Sequence, residues 1–506
     1  MLRSNVILVF RVLSFLVMAP TCRQALDADI ACPPIFGDHM VLQREQPIVL
    51  WGTAAPGESV TARFADQAGS ATADDAGRWR IELPALPASN AARTLTIEGT
   101  NRLEFSDVLV GEVWLCSGQS NMEKPLGLRK GQKPTDDWEA EVAAADHPRL
   151  RLHQVAPRGK ASDTMLAGRW TPCTPQSIQA THFSAVGYFF GRELVRELDV
   201  PVGMIHASLG GTMIEAWIPP DAFARDPKVA PFRERRYPAW VDGVQATELY
   251  ASMIEPLVPF TVRGFLWYQG EANLMDGDGR IYANKMRALV EGWRAAWGTA
   301  EAPFYFVQLA PFGYSTFKHL KKPLTADALP QFWEVQARAL AIPHTSLVVT
   351  TDLAGDATDI HPTNKRDVGL RLAGLALTRA YGRTAHSAGF AQFVSSMQRE
   401  DGALVLHFKN TGGALCSRDG APLTYFQVAG RDRRFVPAQA QVEGDTVVVR
   451  CPEVPQPVAV RFAWDEKANP NLVNADGLPV VPFRTDGWPV MIERPMAANE
   501  TTPPKG

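Results

Sequence analysis

The chain changes its hydrophobic rhythm twice. From about residue 30 to 107, short runs of alternating apolar and polar residues are separated by turn residues, as in QPIVLWGTAAPGESVTARF, DDAGRWRIELPAL and RTLTIEG. A period of two sets one face of each run against a core and the other in water, so this stretch reads as an all-β module with hairpin reversals at Pro56-Gly57 and Ala76-Gly77. From 108 to about 390, continuous apolar runs (VGEVWLCSG, VGMIHAS, RGFLWYQG, PFYFVQLA, TSLVVTTD) take turns with longer segments (SAVGYFFGRELVREL, YANKMRALVEGWRAAW, QFWEVQARALA, KRDVGLRLAGLALTRAY) whose apolar residues recur at three and four. Strands apolar on both sides alternating with amphipathic helices predict a parallel α/β sheet covered on both faces. After about 390 the strand pattern returns in ALVLHFKN, TYFQVAG, DTVVVRC and PVAVRFAW, a second β module.

These changes divide the chain into an N-terminal all-β module (29–107), an α/β domain (108–390), a C-terminal β module (391–495) and a polar, Pro-rich tail (496–506). Residues 1–28, MLRSNVILVFRVLSFLVMAPTCRQALDA, combine an early arginine, an apolar stretch and small residues near Ala25 and Ala28, the order of an export signal. The protein is therefore expected in the periplasm or outside the cell. Arg11 interrupts the stretch and the clean run Val12 to Ala19 is short, so stable membrane insertion is not expected.

A net charge of -3 gives no basic footprint, which argues against nucleic acid as a partner. The six cysteines, at 22, 32, 116, 173, 416 and 451, show no C-x-x-C or Cys/His spacing, and no metal site is expected. An exported compartment permits disulfides, but the spacing does not demand them.

Candidate chemistry collects where predicted strands end. The first strand of the α/β domain runs into LCSGQSNME, and open α/β sheets bind ligands at the carboxyl ends of their strands. Ser120 occupies the turn, while Ser117 sits at the strand end and is the competing serine; helix capping is the alternative job for both. The segment TDLAGDATDIHPTNKRDVGLRLA follows the last strand and brings His361 to the same edge, where it would serve as the base that activates a serine hydroxyl. Asp359 and Asp356 are both near enough to orient the imidazole. HASLGGTMIEAW offers the Gly210-Gly211 amides, and FLWYQGEAN offers the Gln269 side chain, to a developing oxyanion. Glu215 and Glu271 lie in these loops and raise a paired-carboxylate glycosidase as an alternative, but that leaves the serine and histidine loops unexplained, so both are read as hydrogen-bonding supports. Gln119, Asn121 and Asn273 are grouped with them as supporting or substrate-binding residues, and Trp217, Trp267 and Tyr268 are candidates for stacking on sugar faces, although an aromatic at a strand end is more often core.

Taken in order, GQSNM, LGGTMIEAW, WYQGEAN and DIHPTNKRDVGLRLA resemble the sialate O-acetylesterase family, part of the SGNH (GDSL-like) hydrolases and related to bacterial acetylxylan-type esterases. FGDHMVLQREQPIVLWGTAAPG and NLVNADGLPVVPFRTD extend the resemblance over nearly the whole chain after the export signal. It implies an SGNH-hydrolase (flavodoxin-like) parallel-sheet core flanked by β-sandwich-like modules. It also implies a serine esterase that removes acetyl groups from carbohydrates without a cofactor, with Ser120 as nucleophile, His361 as base and Gly210-Gly211 with Gln269 as the oxyanion hole. The wider superfamily has an aspartate three residues before the histidine; here that position is Thr358 and Asp359 stands two before, leaving Asp359, Asp356 and a backbone carbonyl as candidate orienting groups. Sialate esters are the expected substrate, with acetylated xylan or xyloglucan as the alternative and a catalytically silent glycan-binding protein as a second.

Overall fold

The computed structural model describes residues 29–156, 168–235, 243–317, 323–383 and 393–489. The expected export signal, the boundary at 390/391 and the tail lie outside the described residues.

The N-terminal segment forms strands β1 (Val41–Gln43), β2 (Ile48–Thr53), β3 (Ser59–Phe64), β4 (Gln67–Thr72), β5 (Arg78–Leu83) and β6 (Ser89–Glu98). In β3 and β5 exposed and buried residues alternate, as the period of two predicts. The next strand, β7 (Arg102–Gly118), is 17 residues long. Its first part pairs antiparallel with β6 and alternates between exposed and half-buried positions, while every residue from Val108 onward is buried. The boundary expected at 107/108 therefore falls inside one strand, which carries the sheet of the first module into that of the second.

From its buried half extends the predicted parallel sheet, comprising β7, β8 (His147–Gln154), β10 (Val202–Ser208), β11 (Gly264–Tyr268), β12 (Phe304–Val307) and β13 (Thr345–Val348), with β9 (Trp170–Cys173) antiparallel along the outer side of β8. The strand order is β13-β12-β11-β7-β10-β8-β9. The five strands expected from the sequence lie in the order β10-β7-β11-β12-β13, the flavodoxin order 2-1-3-4-5, and β8 adds to that sheet outside β10. Here β10, buried at all seven positions, takes the interior place beside β7, and β8, which carries His147, Arg149 and Arg151, lies outside it. Strand β8 was not predicted because those charges break up its apolar residues; its signal is the alternation of Leu150 and Leu152.

Successive residues of each strand enter opposite cores. Val113 and Leu115 pack in the same core as Trp293 and Phe332, whereas Trp114 and Cys116 join Phe189, Phe190 and Leu372. These partners come from α2 (Ala185–Leu198), α4 (Ile281–Trp297), α5 (Ala328–Arg338) and α6 (Arg366–Arg379), numbered after two short helices at strand ends, α1 (Ser120–Glu123) and α3 (Glu271–Asp276). The first core is continuous with buried residues of both β modules, including Phe64, Ile81, Leu406 and Phe462.

In the C-terminal segment, strands Phe393–Glu400, Ala403–Lys409, Gln439–Glu443 and Thr446–Arg450 form one antiparallel sheet; Phe426–Ala429, Phe435–Pro437, Ala459–Phe462 and Phe483–Arg484 form a second. The buried Glu466 of this segment accepts hydrogen bonds from the amide and hydroxyl of Ser315, and so reaches the loop that follows β12. Among the described residues no helix is long and apolar enough to cross a membrane, and the cysteines are unpaired.

Candidate active site

The chain leaves β7 toward β8 and β10 but leaves β11 toward β12 on the other side, so the connections diverge between β7 and β11, the crevice in which open α/β sheets bind ligands. Gly118 ends β7 there with φ +137°, and a Cβ on it would stand 2.2 Å from the Tyr268 carbonyl oxygen. Only glycine permits this close approach. The Gln119 amide then donates to that carbonyl at 3.0 Å, and Ser120 becomes the first residue of α1. Ser117 is fully buried, whereas Ser120 is partly exposed, so of the two serines Ser120 is the one a substrate can reach.

Gln119, Asn121 and Glu123 around Ser120 each tie the serine turn to a different loop. Gln119 Oε1 accepts from Gln269 Nε2 at 3.1 Å and from the amides of Gly270 and Ala272 at 3.4 and 3.3 Å, holding the turn after β11. Asn121 Nδ2 donates to Glu271 Oε1 at 2.5 Å and to the Ile360 carbonyl at 3.0 Å, and its Oδ1 accepts from Lys365 Nζ at 2.8 Å. Glu123 accepts from the Gly210 amide at 2.8 Å and pairs with Arg129 at 3.0 Å.

Asn121 thus brings the residue after the candidate nucleophile against the residue before His361. A second tie, from the Asp136 amide to the Thr363 carbonyl at 3.1 Å, holds the far side of the histidine loop. Among the described residues neither the Ser120 hydroxyl nor the His361 imidazole has a hydrogen-bond partner, which leaves both free for chemistry. Burial, reinforced by Lys365 and Lys124 and opposed by Asp359, lowers the imidazole pKa to about 4, so His361 is a neutral proton acceptor at ordinary pH.

Asp359 does not hydrogen-bond to the imidazole here. Its Oδ1 accepts from the His361 backbone amide at 2.9 Å and its Oδ2 lies 4.0 Å from Lys133 Nζ, so the carboxylate shapes the loop and supplies charge. Asp356 is exposed and bonds to Thr358 and to Lys133.

The expected oxyanion donors divide. Gly210 packs on the nucleophile, since a Cβ on it would lie 3.3 Å from Ser120 Cβ, but its amide is engaged by Glu123. The amides of Ser120 and Gly211 have no partner among the described residues. Gln269 is fully buried, and its Nε2 lies within hydrogen-bond distance of the Gln119 Oε1, the Thr212 carbonyl and Asn273 Oδ1, at 3.1, 3.1 and 2.7 Å. The carbonyl can only accept, which fixes the amide's orientation, and Tyr282 donates to Oε1 at 3.0 Å. With both N–H groups committed, Gln269 braces the loops in this geometry instead of facing an oxyanion as expected.

Glu215 is fully buried against Lys285, which also bonds Asp278 at 2.6 Å. Burial opposes ionisation of Glu215, but Lys285 and Asn273 outweigh it and hold the carboxyl below its ordinary range; burial raises Asp278 to about 6. Asn273 Nδ2 donates to Glu215 at 2.9 Å and to Asp278 at 2.6 Å, while its Oδ1 accepts from Gln269 and from the Ile214 amide. Glu271 is buried too, and burial raises its pKa. The glutamates therefore form no solvent-facing pair for a glycosidase. Trp217, Trp267 and Tyr268 are at most 1% exposed and lie within the core, the commoner of the two places expected for them, and not where a sugar could stack on them.

Several residues with evident roles were not singled out from sequence. Glu123 lies three residues after Ser120 and Lys365 four after His361, spacings that share a helix face or loop turn, but nothing in the sequence shows their partners. Lys285 is on a helix whose charged residues read as solvated. Among the described residues, no cluster of His, Cys, Asp or Glu could hold a metal ion.

The family described as carbohydrate esterase, sialic acid-specific acetylesterase matches residues 110–378, from the buried half of β7 to the end of α6. The human sialate O-acetylesterase is 29% identical over 381 residues, covering 69% of this chain and 70% of that protein. The rat sialate O-acetylesterase is 30% identical over 405 residues, covering 68% and 72%. The crystal structure of a carbohydrate acetylesterase from Xanthomonas citri is 38% identical and superposes with a TM-score of 0.79 over 91% of this chain and 100% of that one. The chain belongs to the carbohydrate esterase family of sialic acid-specific acetylesterases.

Proposed function

We propose that this protein is a serine esterase that removes acetyl groups from sialic acid through an acetyl-enzyme formed on Ser120, with His361 as general base. The observation that carries the reading is the Asn121 bridge, which holds the serine turn and the histidine loop together at the carboxyl edge of the sheet with both reactive side chains unpartnered. In this mechanism His361 takes the Ser120 proton as the hydroxyl oxygen attacks the acetyl carbonyl. The unpartnered amides of Ser120 and Gly211 are the available donors to the oxyanion. The imidazolium returns the proton to the departing sugar oxygen, and His361 then activates the water that releases acetate. No cofactor takes part in these steps.

Sialic acid carries a carboxylate, and Arg129, half-buried beside Glu123 and acting on His361 from nearby, is a cation of suitable kind at this position. The test is acetate release from O-acetylated sialic acid and from acetylated xylan and xyloglucan oligosaccharides by wild type and Ser120→Ala. Ser120-dependent release with preference for the sialate ester supports the reading. Preference for the neutral glycans replaces sialate as the substrate, and absence of release from all of them by folded protein rejects esterase chemistry in favour of glycan binding. From the order of charged, apolar and small residues in 1–28 we infer that the protein acts in the periplasm or outside the cell, which fractionation of cells expressing the full chain tests.

A further inference from the structure

Lys365 is an ammonium group with no exposed surface, and the chemistry above makes no use of it. Leaving a lysine charged in such a place costs stability, so it calls for a reason. Its hydrogen bond goes to Asn121 Oδ1 at 2.8 Å, and its Nζ lies 5.5 Å from the centre of the Tyr268 ring. Both contacts are on the serine side of the site, while Lys365 itself belongs to the loop that carries His361 four residues earlier. Building on the esterase reading, we propose that Lys365 is a positioning residue for the reaction: its buried ammonium clamps the serine turn to the histidine loop through Asn121 and sets a positive charge on the loop that carries His361.

The surrounding charges fit this role. The groups acting on His361 are Lys365, Lys124 and Arg129, which oppose its protonation, and Asp359, which favours it. Lys133 contacts Asp356 and approaches Asp359, so it offsets the carboxylates on that side. Around Lys365 itself, burial is the largest influence and lowers its pKa to about 7; Lys124 acts in the same sense, and Glu271, Asp359 and Asp136 act against it. Below pH 7 the lysine is therefore charged, and this is the range in which an ordinary imidazole would take up a proton. A neutral side chain of the same length would fill the space but lift this opposition.

The experiment is an NMR titration of the His361 ring in the full chain, assigned with His361→Gln, for wild type, Lys365→Met and Lys365→Arg, alongside the pH dependence of kcat/KM on a chromogenic acetate. Wild type should titrate well below the ordinary 6.5. In Lys365→Met the ring midpoint and the acid limb of kcat/KM should both move up by about one pH unit, a tenfold change in proton affinity. Lys365→Arg keeps the charge and should leave the midpoint near that of wild type while lowering kcat, since the planar guanidinium cannot reproduce the lysine's contact. A wild-type midpoint at or above 6.5 overturns the proposal even without variants, and so does an unchanged midpoint in folded Lys365→Met. If the ring responds to Lys365 but acetate release does not depend on Ser120, the esterase reading fails and the electrostatic coupling stands.

Discussion

Asn121 donates a hydrogen bond to the Ile360 carbonyl at 3.0 Å, and this one contact joins the neighbours of the two residues assigned to the chemistry, 239 positions apart in the chain. Effective serine catalysis requires nucleophile and base to be held within a fraction of an ångström of productive geometry. Asn121→Ala removes the bonds to Ile360, Glu271 and Lys365 together. It should lower kcat/KM about a hundredfold, mainly through kcat, as misplacement of reacting groups does. Steady-state kinetics on a chromogenic acetate, with a thermal melt to establish folding, tests this.

Gln269 separates two roles by their effect on stability. An oxyanion donor facing substrate would lose rate on truncation and keep its fold. A buried amide bonded to Gln119, Thr212, Asn273 and Tyr282 leaves those partners unpaired. Gln269→Ala should therefore destabilise the protein by about 2 kcal/mol or more, following the cost of buried unsatisfied groups, and rate should fall with it. A variant with wild-type Tm and a low kcat would restore the oxyanion role.

The depressed imidazole sets the pH range of activity. His361 is protonated only as pH falls through about 4, so the acid limb of kcat/KM should lie near there and not near 6.5. The sign for stability is opposite to that of a histidine with a charged partner. Between 6.5 and about 4 the unfolded chain binds a proton at this residue that the folded chain does not, so this group makes folding less favourable as pH falls through that window. A pH–rate profile and melts over the same range test both halves.

At the other end of the sheet, Glu112 is fully buried between Arg44 of the N-terminal module and Arg263, with Tyr381 donating to it at 2.9 Å. Burial opposes its ionisation, but the two guanidinium groups outweigh it and hold the carboxyl below its ordinary value of 4.5. Its contribution is thus present above 4.5 and lost as pH falls through the lower, folded value. Glu112→Gln removes the buried counter-ion of two arginines, leaving them only the exposed Glu45 at 3.7 and 3.6 Å, and should cost about 3 kcal/mol, the lower end for breaking a buried pair. Because the site lies at the opposite strand ends, kcat of the folded variant should be unchanged. Chemical denaturation and kinetics on the same sample test the pair of outcomes.

Glycine positions illustrate how far local signals reach. Gly118 lies at the end of the strand-like run VGEVWLCSG, and what requires a glycine there is the Tyr268 carbonyl, brought alongside from 150 residues away. Gly210 reads as part of a strand-to-helix turn, and its tolerance for a side chain is set by Glu123 and then Ser120, 2.8 and 3.3 Å from where a Cβ would stand.

The layers of this protein were legible in its residues alone. Periods of two and of three to four are local properties of the chain, so the β modules, the buried strands and the four long helices were legible, and so was the convergence of the Ser120, Gly210, Gln269 and His361 loops on one edge of the sheet. The place of β8 was not, because pairing depends on which surfaces remain after packing: β10 is apolar throughout and goes inside, while charged β8 goes outside it. Nor was the division of labour within the site. Gln269 and Trp217 carry suitable chemistry for an oxyanion or a sugar, but burial turned the first into a brace and the second into core. Lys365 became part of the site only when folding enclosed its ammonium against Asn121 and beside His361, since a charge is silent in water and strong in a medium that cannot screen it.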